Sequence, residues 1–267
     1  DHTLAEWSPT TLRDLEISEK SFENVLAENT TILGLESVRT GVHGPFKVFR
    51  QLSLPTPSER IVFPDITLLT SSGHVVIVEV KRFGNPELRD RNVIAQIIEY
   101  ASSFAELSES QLIECFAHEH GDSTWSGLVD HLFGDHDDPE ELSEVLRHRI
   151  STGQINLVVA CDKIPAGLPD IVRGVTSQSA VAFELDLLEI PPFVSSGTAV
   201  NDVLFVPAVR SRTETIMKTA VTVSYPDGPG GAATSVTTTS MEEVEERFSE
   251  AGTGRSQKRS WTVEEID

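Results

Sequence analysis

The chain has 267 residues, with 42 Asp+Glu against 21 Lys+Arg and a formal charge of −21. A chain of this length with 39% hydrophobic residues can bury a full core, which excludes wholesale disorder, and no apolar run approaches the ~20 residues a membrane-spanning helix requires. Two cysteines without C-x-x-C spacing, Cys115 and Cys161, exclude a disulfide framework and a zinc ribbon, so a reducing cytoplasm is the expected compartment and no membrane partner is expected.

The helix and strand signals run in order. Ser18 can cap a helix over Glu19–Glu28, with Phe22, Val25 and Leu26 on its apolar face. After a loop rich in Gly and Pro, with a strand expected at Phe46–Leu52, two further strands flank Ser71-Ser72-Gly73 as a β-hairpin. Its second strand, from Val75 to Val80, is an almost unbroken β-branched run, as in strands buried on both faces. A helix with two apolar stripes follows from Asn92 to about Leu107. From Glu106 to Glu144 the chain holds twelve Asp or Glu and no Lys or Arg, more than half of the net charge, and this stretch reads as a solvated acidic surface. Asp138-Pro139-Glu140-Glu141 has the residues of a helix start. Strands are expected at Ile155–Cys161 and Ala180–Leu188, with a helix near Leu168–Thr176 between them. Beyond Pro191-Pro192 the signals weaken: strands at Val203–Val206 and Thr219–Ser224, a flexible loop from Pro226 through Ser240, and a short helix at Met241–Phe248. The chain opens on Asp1, and Thr262-Val263-Glu264-Glu265 has capping-box spacing, so a longer parent protein is expected. Alternating helices and strands predict an α/β class, bordering on α+β.

The hairpin carries the chemistry. A turn centred on Ser72 sets Asp65 opposite Glu79, and period-2 alternation puts Lys81 on the face of both carboxylates. Two opposed carboxylates on a buried strand repel, and they persist only with a compensating proton, cation or metal. A structural ion pair with Lys81 is one solution. The other is a divalent metal site, where Mg²⁺, which prefers oxygen ligands and retains waters, would serve phosphodiester hydrolysis.

Pro64-Asp65 followed by Glu79-Val80-Lys81 resembles the signature of the PD-(D/E)xK, restriction-endonuclease-like nuclease superfamily. Gln96-Ile97-Ile98-Glu99-Tyr100 is similar to the Q-x-x-x-Y element of its RecB-like and NucS-like branches. Glu19-Lys20-Ser21-Phe22, with Leu26, Asn29 and Leu33, resembles the helix that precedes the core in NucS/EndoMS-like proteins. The resemblance covers about residues 15–190, interrupted by an acidic helical insertion at about 106–150 and followed by a partly flexible, β-containing C-terminal extension at 191–267. It implies a restriction-endonuclease-like core with a central mixed sheet flanked by helices. It further implies a deoxyribonuclease using Mg²⁺, with Mn²⁺ as substitute, held by Asp65, Glu79 and Glu19, Glu23 being the alternative to Glu19. Lys81 would be the catalytic lysine and Gln96 would join it, while Tyr100, Arg82, Arg89 and Arg91 would meet the DNA.

The alternative is a non-cleaving module on the same fold that binds nucleic acid or protein in a defence or repair assembly. A homodimer is compatible with either reading. His118, His120, His131 and His136 lack regular ligand spacing and read as solvated, and Cys161 reads as a packed thiol. No G-x-x-x-x-G-K-[ST], G-x-S-x-G or G-x-G-x-x-G occurs, so nucleotide-driven action, a serine-hydrolase elbow and a dinucleotide fold have no support.

Overall fold

The computed structural model describes residues 6–39, 41–89, 92–117, 124–177, 182–196 and 203–211, together with the strands at 219–224 and 235–240. It divides into a unit of residues 1–213 and a second of residues 214–267. The first unit begins with β1 (Glu6–Pro9), α1 (Glu19–Glu28), a 3-10 turn at Thr30–Leu33 and α2 (Leu35–Val38). Strands β2 (Phe46–Arg50), β3 (Leu54–Pro55), β4 (Ile61–Val62), β5 (Ile66–Thr70) and β6 (Val75–Lys81) follow. Next come α3 (Pro86–Arg89), α4 (Asn92–Ala105), α5 (Glu109–Phe116), α6 (Trp125–Phe133) and α7 (Pro139–Ser151). The unit closes with β7 (Asn156–Cys161), α8 (Leu168–Thr176), β8 (Glu184–Glu189), β9 (Pro192–Ser196), β10 (Val203–Phe205) and β11 (Ala208–Ser211). In the second unit β12 (Thr219–Ser224) and β13 (Ser235–Ser240) form an antiparallel hairpin.

Six strands make one mixed sheet in the order β11-β8-β7-β6-β5-β2. Strands β2, β5 and β6 are successively antiparallel, β6, β7 and β8 are parallel, and β11 runs antiparallel on the β8 edge. The chain is thus an α/β protein built on a central mixed sheet. Strand β6 is buried along its whole length, as its β-branched run predicts, and alternate residues feed two cores. Val76, Val78 and Val80 pack with Phe22 and Leu26 of α1, whereas Val75 and Ile77 pack with Ile97, Tyr100 and Phe104 of α4.

Local chemistry fixes the helix starts. Ser18 accepts the Ser21 amide at 3.0 Å to open α1, Ser108 opens α5 with a capping box, and Asp138 caps α7 with Pro139 in its first turn. The acidic segment is not an appendage. Phe116, Trp125, Leu128 and Leu146 of α5–α7 join the same core as α4, and the Trp125 indole donates to the Ser143 carbonyl at 2.9 Å, leaving acidic side chains such as Glu109, Asp130, Glu141 and Glu144 exposed.

Two expectations change. Ser235–Ser240, expected within a loop, is strand β13, because its β-branched run from Val236 to Thr239 finds a partner in β12. Strand β9 pairs with β1 and β10 in a separate three-stranded sheet, a pairing hidden behind the Pro191-Pro192 punctuation. Strand β11 lies on the main sheet, so the compact first unit runs past residue 190 to Thr213. The expected helices at 241–248 and 262–265 lie outside the described residues. Among the described residues no helix is long and apolar enough to cross a membrane.

Candidate functional site

The β5–β6 register, with Ile66 opposite Val78, brings Asp65 across from Glu79 as the turn spacing predicts. Asp65 closes the strand end: one carboxylate oxygen accepts the Val80 amide at 2.9 Å and the other the Gln51 side-chain amide at 3.0 Å. Lys81 lies on the same face as Glu79, and its Nζ is 2.6 Å from Glu79 Oε1. The other Glu79 oxygen, Oε2, is buried with no hydrogen-bond partner. These groups stand at the carboxyl end of β6, an end of parallel strands where open α/β sheets bind ligands.

The site is electrostatically tense. Burial, reinforced by the charge of Asp65, pushes the Glu79 carboxyl from 4.5 up to about 7, and Lys81, with a smaller contribution from the Tyr100 hydroxyl, offsets this only in part. Burial also raises the Asp65 carboxyl, against the Val80 amide and Lys81, which lower it. Burial opposes the charged amine of Lys81, but the Glu79 carboxylate beside it more than compensates and holds the amine protonated well above the usual lysine range. Burial, then the Glu79 charge, raises the Tyr100 phenol. Gln96 Nε2 donates to the Tyr100 hydroxyl at 2.8 Å, and that hydroxyl reaches the Phe63 carbonyl at 3.4 Å, so the pair four residues apart on α4 acts as one unit.

The remaining expected residues divide. Glu19 is not brought to the carboxylate pair. It accepts the Arg82 amide at 2.7 Å and the Asn85 side-chain amide at 2.9 Å, closing the turn after β6. Glu23, one helical turn on, is 4% exposed, paired with Lys20 at 2.7 Å and Arg50 at 3.3 Å, and near enough for its charge to raise the Asp65 carboxyl. The Arg82 guanidinium donates to the Ile17 carbonyl at 3.4 Å, toward the α1 side of the sheet. Of Arg89 only the backbone, ending α3, is described, and Arg91 lies outside the described residues, as do His118 and His120. The Cys161 thiol is buried, donates to the Lys163 carbonyl at 2.7 Å and is held protonated chiefly by burial.

Sequence spacing missed three participants. Glu87 on α3 lies 2.9 Å from Lys81, so the amine bridges two carboxylates. Gln51 and Arg50 leave the end of β2 beside Asp65, a position that only the β2–β5 register reveals, where Arg50 faces Ile66.

The orphaned Glu79 oxygen and the free lone pairs of Asp65 fit a hard cation that takes one or two carboxylates and keeps several waters. Among the described residues no group of three or more His, Cys, Asp or Glu is arranged to hold a metal, so water or substrate oxygens would complete the shell. No protein-family model, no curated protein and no solved structure matches the chain.

Proposed function

We propose that the protein is a magnesium-dependent deoxyribonuclease with a restriction-endonuclease-like core, hydrolysing phosphodiester bonds at the Asp65–Glu79–Lys81 site. The observation that carries this reading is the buried Glu79 carboxylate, with one oxygen on the Lys81 amine and the other without a partner, set across the hairpin from Asp65. A buried acceptor without a partner costs about 1–3 kcal/mol, and a cation bound at that oxygen would remove the cost.

Asp65 and Glu79 would hold Mg²⁺, or Mn²⁺ in its place, and the ion would supply Lewis acidity toward the scissile phosphate and acidify water. Lys81 presents an ammonium beside that position, where it can orient the attacking water and stabilise the charge that develops on the phosphoryl oxygens. Gln96 fixes the Tyr100 hydroxyl next to Glu79, and Glu23 is the carboxylate that α1 sends toward Asp65. The hairpin pairing of Asp65 with Glu79, the Gln96–Tyr100 pair and the mixed sheet support the resemblance noted in the sequence, while Glu19, its expected helix carboxylate, is engaged by the turn after β6.

The test is cleavage of supercoiled and linear DNA with Mg²⁺, Mn²⁺ or chelator. Wild-type protein is expected to cut only with metal, and Asp65→Asn and Lys81→Ala each to lose at least about a hundredfold in rate, the scale of a lost charge-stabilising group. Metal-independent cutting, or full activity in Lys81→Ala, would sink the assignment. A second reading, a non-cleaving nucleic-acid or protein-binding module, is favoured by one feature: Lys81 is held between Glu79 and Glu87. Retained DNA binding without cleavage in any metal selects it.

A further inference from the structure

The turn that follows β6 is pinned at nearly every backbone amide. That of Arg82 donates to Glu19 Oε2 at 2.7 Å, that of Phe83 to Asp162 Oδ1 at 2.6 Å and that of Asn85 to the Arg82 carbonyl at 3.0 Å. The Asn85 side chain engages both of its ends: Nδ2 donates to the Glu19 carboxylate at 2.9 Å, and Oδ1 accepts the Glu87 amide at 2.9 Å, fixing the first turn of α3. Helix α1 is thereby tied, through Glu19 and then Asn85, to the backbone of Glu87. The Glu87 carboxylate in turn meets the Lys81 amine at 2.9 Å.

Stability is a weak account of that last contact. Glu87 is half exposed, and an ion pair with a solvent-screened partner contributes about 0–1 kcal/mol, while Lys81 already has a buried carboxylate in Glu79. Chemistry accounts for it better. A lysine carries its charge on a flexible four-carbon stem, so a single partner leaves the amine free to swing. In the site proposed above that partner, Glu79, is also the ligand of a divalent cation, which competes with the amine for the carboxylate and repels its charge. Among the described residues no three carboxylates are grouped to hold a metal, so Glu87 is left to the amine.

We propose that Glu87 is a positioning residue for Lys81, holding the amine at the phosphate when the metal engages Glu79, and that Glu19 and Asn85 act through Glu87 by fixing the turn that carries it. This role rests on the nuclease reading of Asp65, Glu79 and Lys81. It gives the α1 carboxylate a part other than metal ligation: Glu19 orients the turn, and the turn orients the amine.

Cleavage of linear DNA in Mg²⁺ is measured across substrate concentrations for the wild type, Glu87→Gln, Glu87→Ala, Asn85→Ala, Lys81→Ala and the double variants that combine Glu87→Ala with Asn85→Ala or with Lys81→Ala. Binding of Mn²⁺ alone is read by electron paramagnetic resonance, and folding by thermal melts. Glu87→Gln and Glu87→Ala are expected to lose roughly ten- to a hundredfold in kcat, the scale of a misplaced reacting group, with KM and the Mn²⁺ dissociation constant within about twofold of the wild type. Asn85→Ala should lose less, in the same parameter. The losses should not add: Asn85→Ala costs nothing further once Glu87 is replaced, and Glu87→Ala nothing further once Lys81 is replaced, a pattern that a merely structural role does not produce. Glu87 variants that cut at the wild-type rate or faster overturn the role, while metal-dependent cutting by the wild type leaves hydrolysis standing. Full addition of the losses, or a loss confined to KM or to Mn²⁺ affinity, overturns it equally. A wild type that cuts in no metal refutes the hydrolytic reading and this role with it.

Discussion

Glu79 is the residue at which function and stability pull apart. With its carboxyl pushed from 4.5 up to about 7, the folded protein keeps a proton that the unfolded chain has already released between those values. The contribution is fully present below 4.5 and is lost as pH rises toward 7, so stability falls across that window, and at ~1.4 kcal/mol per pH unit the loss is about 3 kcal/mol. The raised Asp65 carboxyl gives a slope of the same sign beginning near 3.8. The raised Lys81 amine contributes stability present below 10.5, which does not change in this range. Glu79→Gln is therefore expected to flatten the slope and to raise stability at pH 8 by about 1–3 kcal/mol while abolishing cleavage, as read by denaturant titrations across pH. A variant with the wild-type slope would show that the penalty belongs to another group. Magnesium gives an independent check on the proposed site: at pH 8 it should raise the melting temperature of the wild type and leave that of Glu79→Gln almost unmoved if the ion binds the folded protein through Glu79.

At the scale of elements, two ties hold the site end together and a third holds the hairpin. Asp162, 3% exposed at the end of β7, accepts the amides of Leu12 at 3.1 Å and Phe83 at 2.6 Å, joining the N-terminal loop to the turn after β6. Asp162→Ala leaves both donors unpaired and is expected to cost about 2–4 kcal/mol in chemical denaturation, with Asp162→Asn recovering roughly half. Gly73, at φ +77°, turns the hairpin so closely against α7 that an added Cβ would lie 2.6 Å from a Val145 methyl carbon. Gly73→Ala is expected to destabilise by about 1–3 kcal/mol, and Val145→Ala in the same chain to relieve the steric part but not the backbone part. These ties mark the limit of what the sequence shows. Strand β6, helix α4 and the Asp65–Glu79 pairing were legible because period-2 and period-3.6 patterns and a Ser-Ser-Gly turn encode them locally. The engagement of Glu87 and Gln51, and the diversion of Glu19 to the Arg82 amide, were not, because they depend on the path of the turn at Gly84, at φ +89°, and on strand neighbours distant in sequence. Strand β9 escaped notice because its partner β1 lies at the other end of the unit.

At the scale of the whole molecule, the acidic excess of α5–α7 faces outward, as Glu109, Asp130, Glu141 and Glu144 show, whereas around β6 charges are paired: Lys20 and Arg50 with Glu23, and Lys81 with Glu79 and Glu87. Neutralising Glu140, Glu141 and Glu144 together is expected to speed association with DNA several-fold at low salt, and the rates should converge with the wild type near 1 M salt, where the Debye length is about 3 Å; stopped-flow anisotropy would read both. The same helices impose an order on folding. Strand β6 lies beside β7 in parallel, with Val76 against Asn156, and everything from α3 to α7 sits between them in the chain. During synthesis the hairpin leaves the ribosome with its most apolar edge unclaimed until eighty residues later, which leaves that edge open to pairing with other nascent chains. The helical segment, which docks on α4 through Phe116 and Trp125, is the part of the chain able to shield it meanwhile.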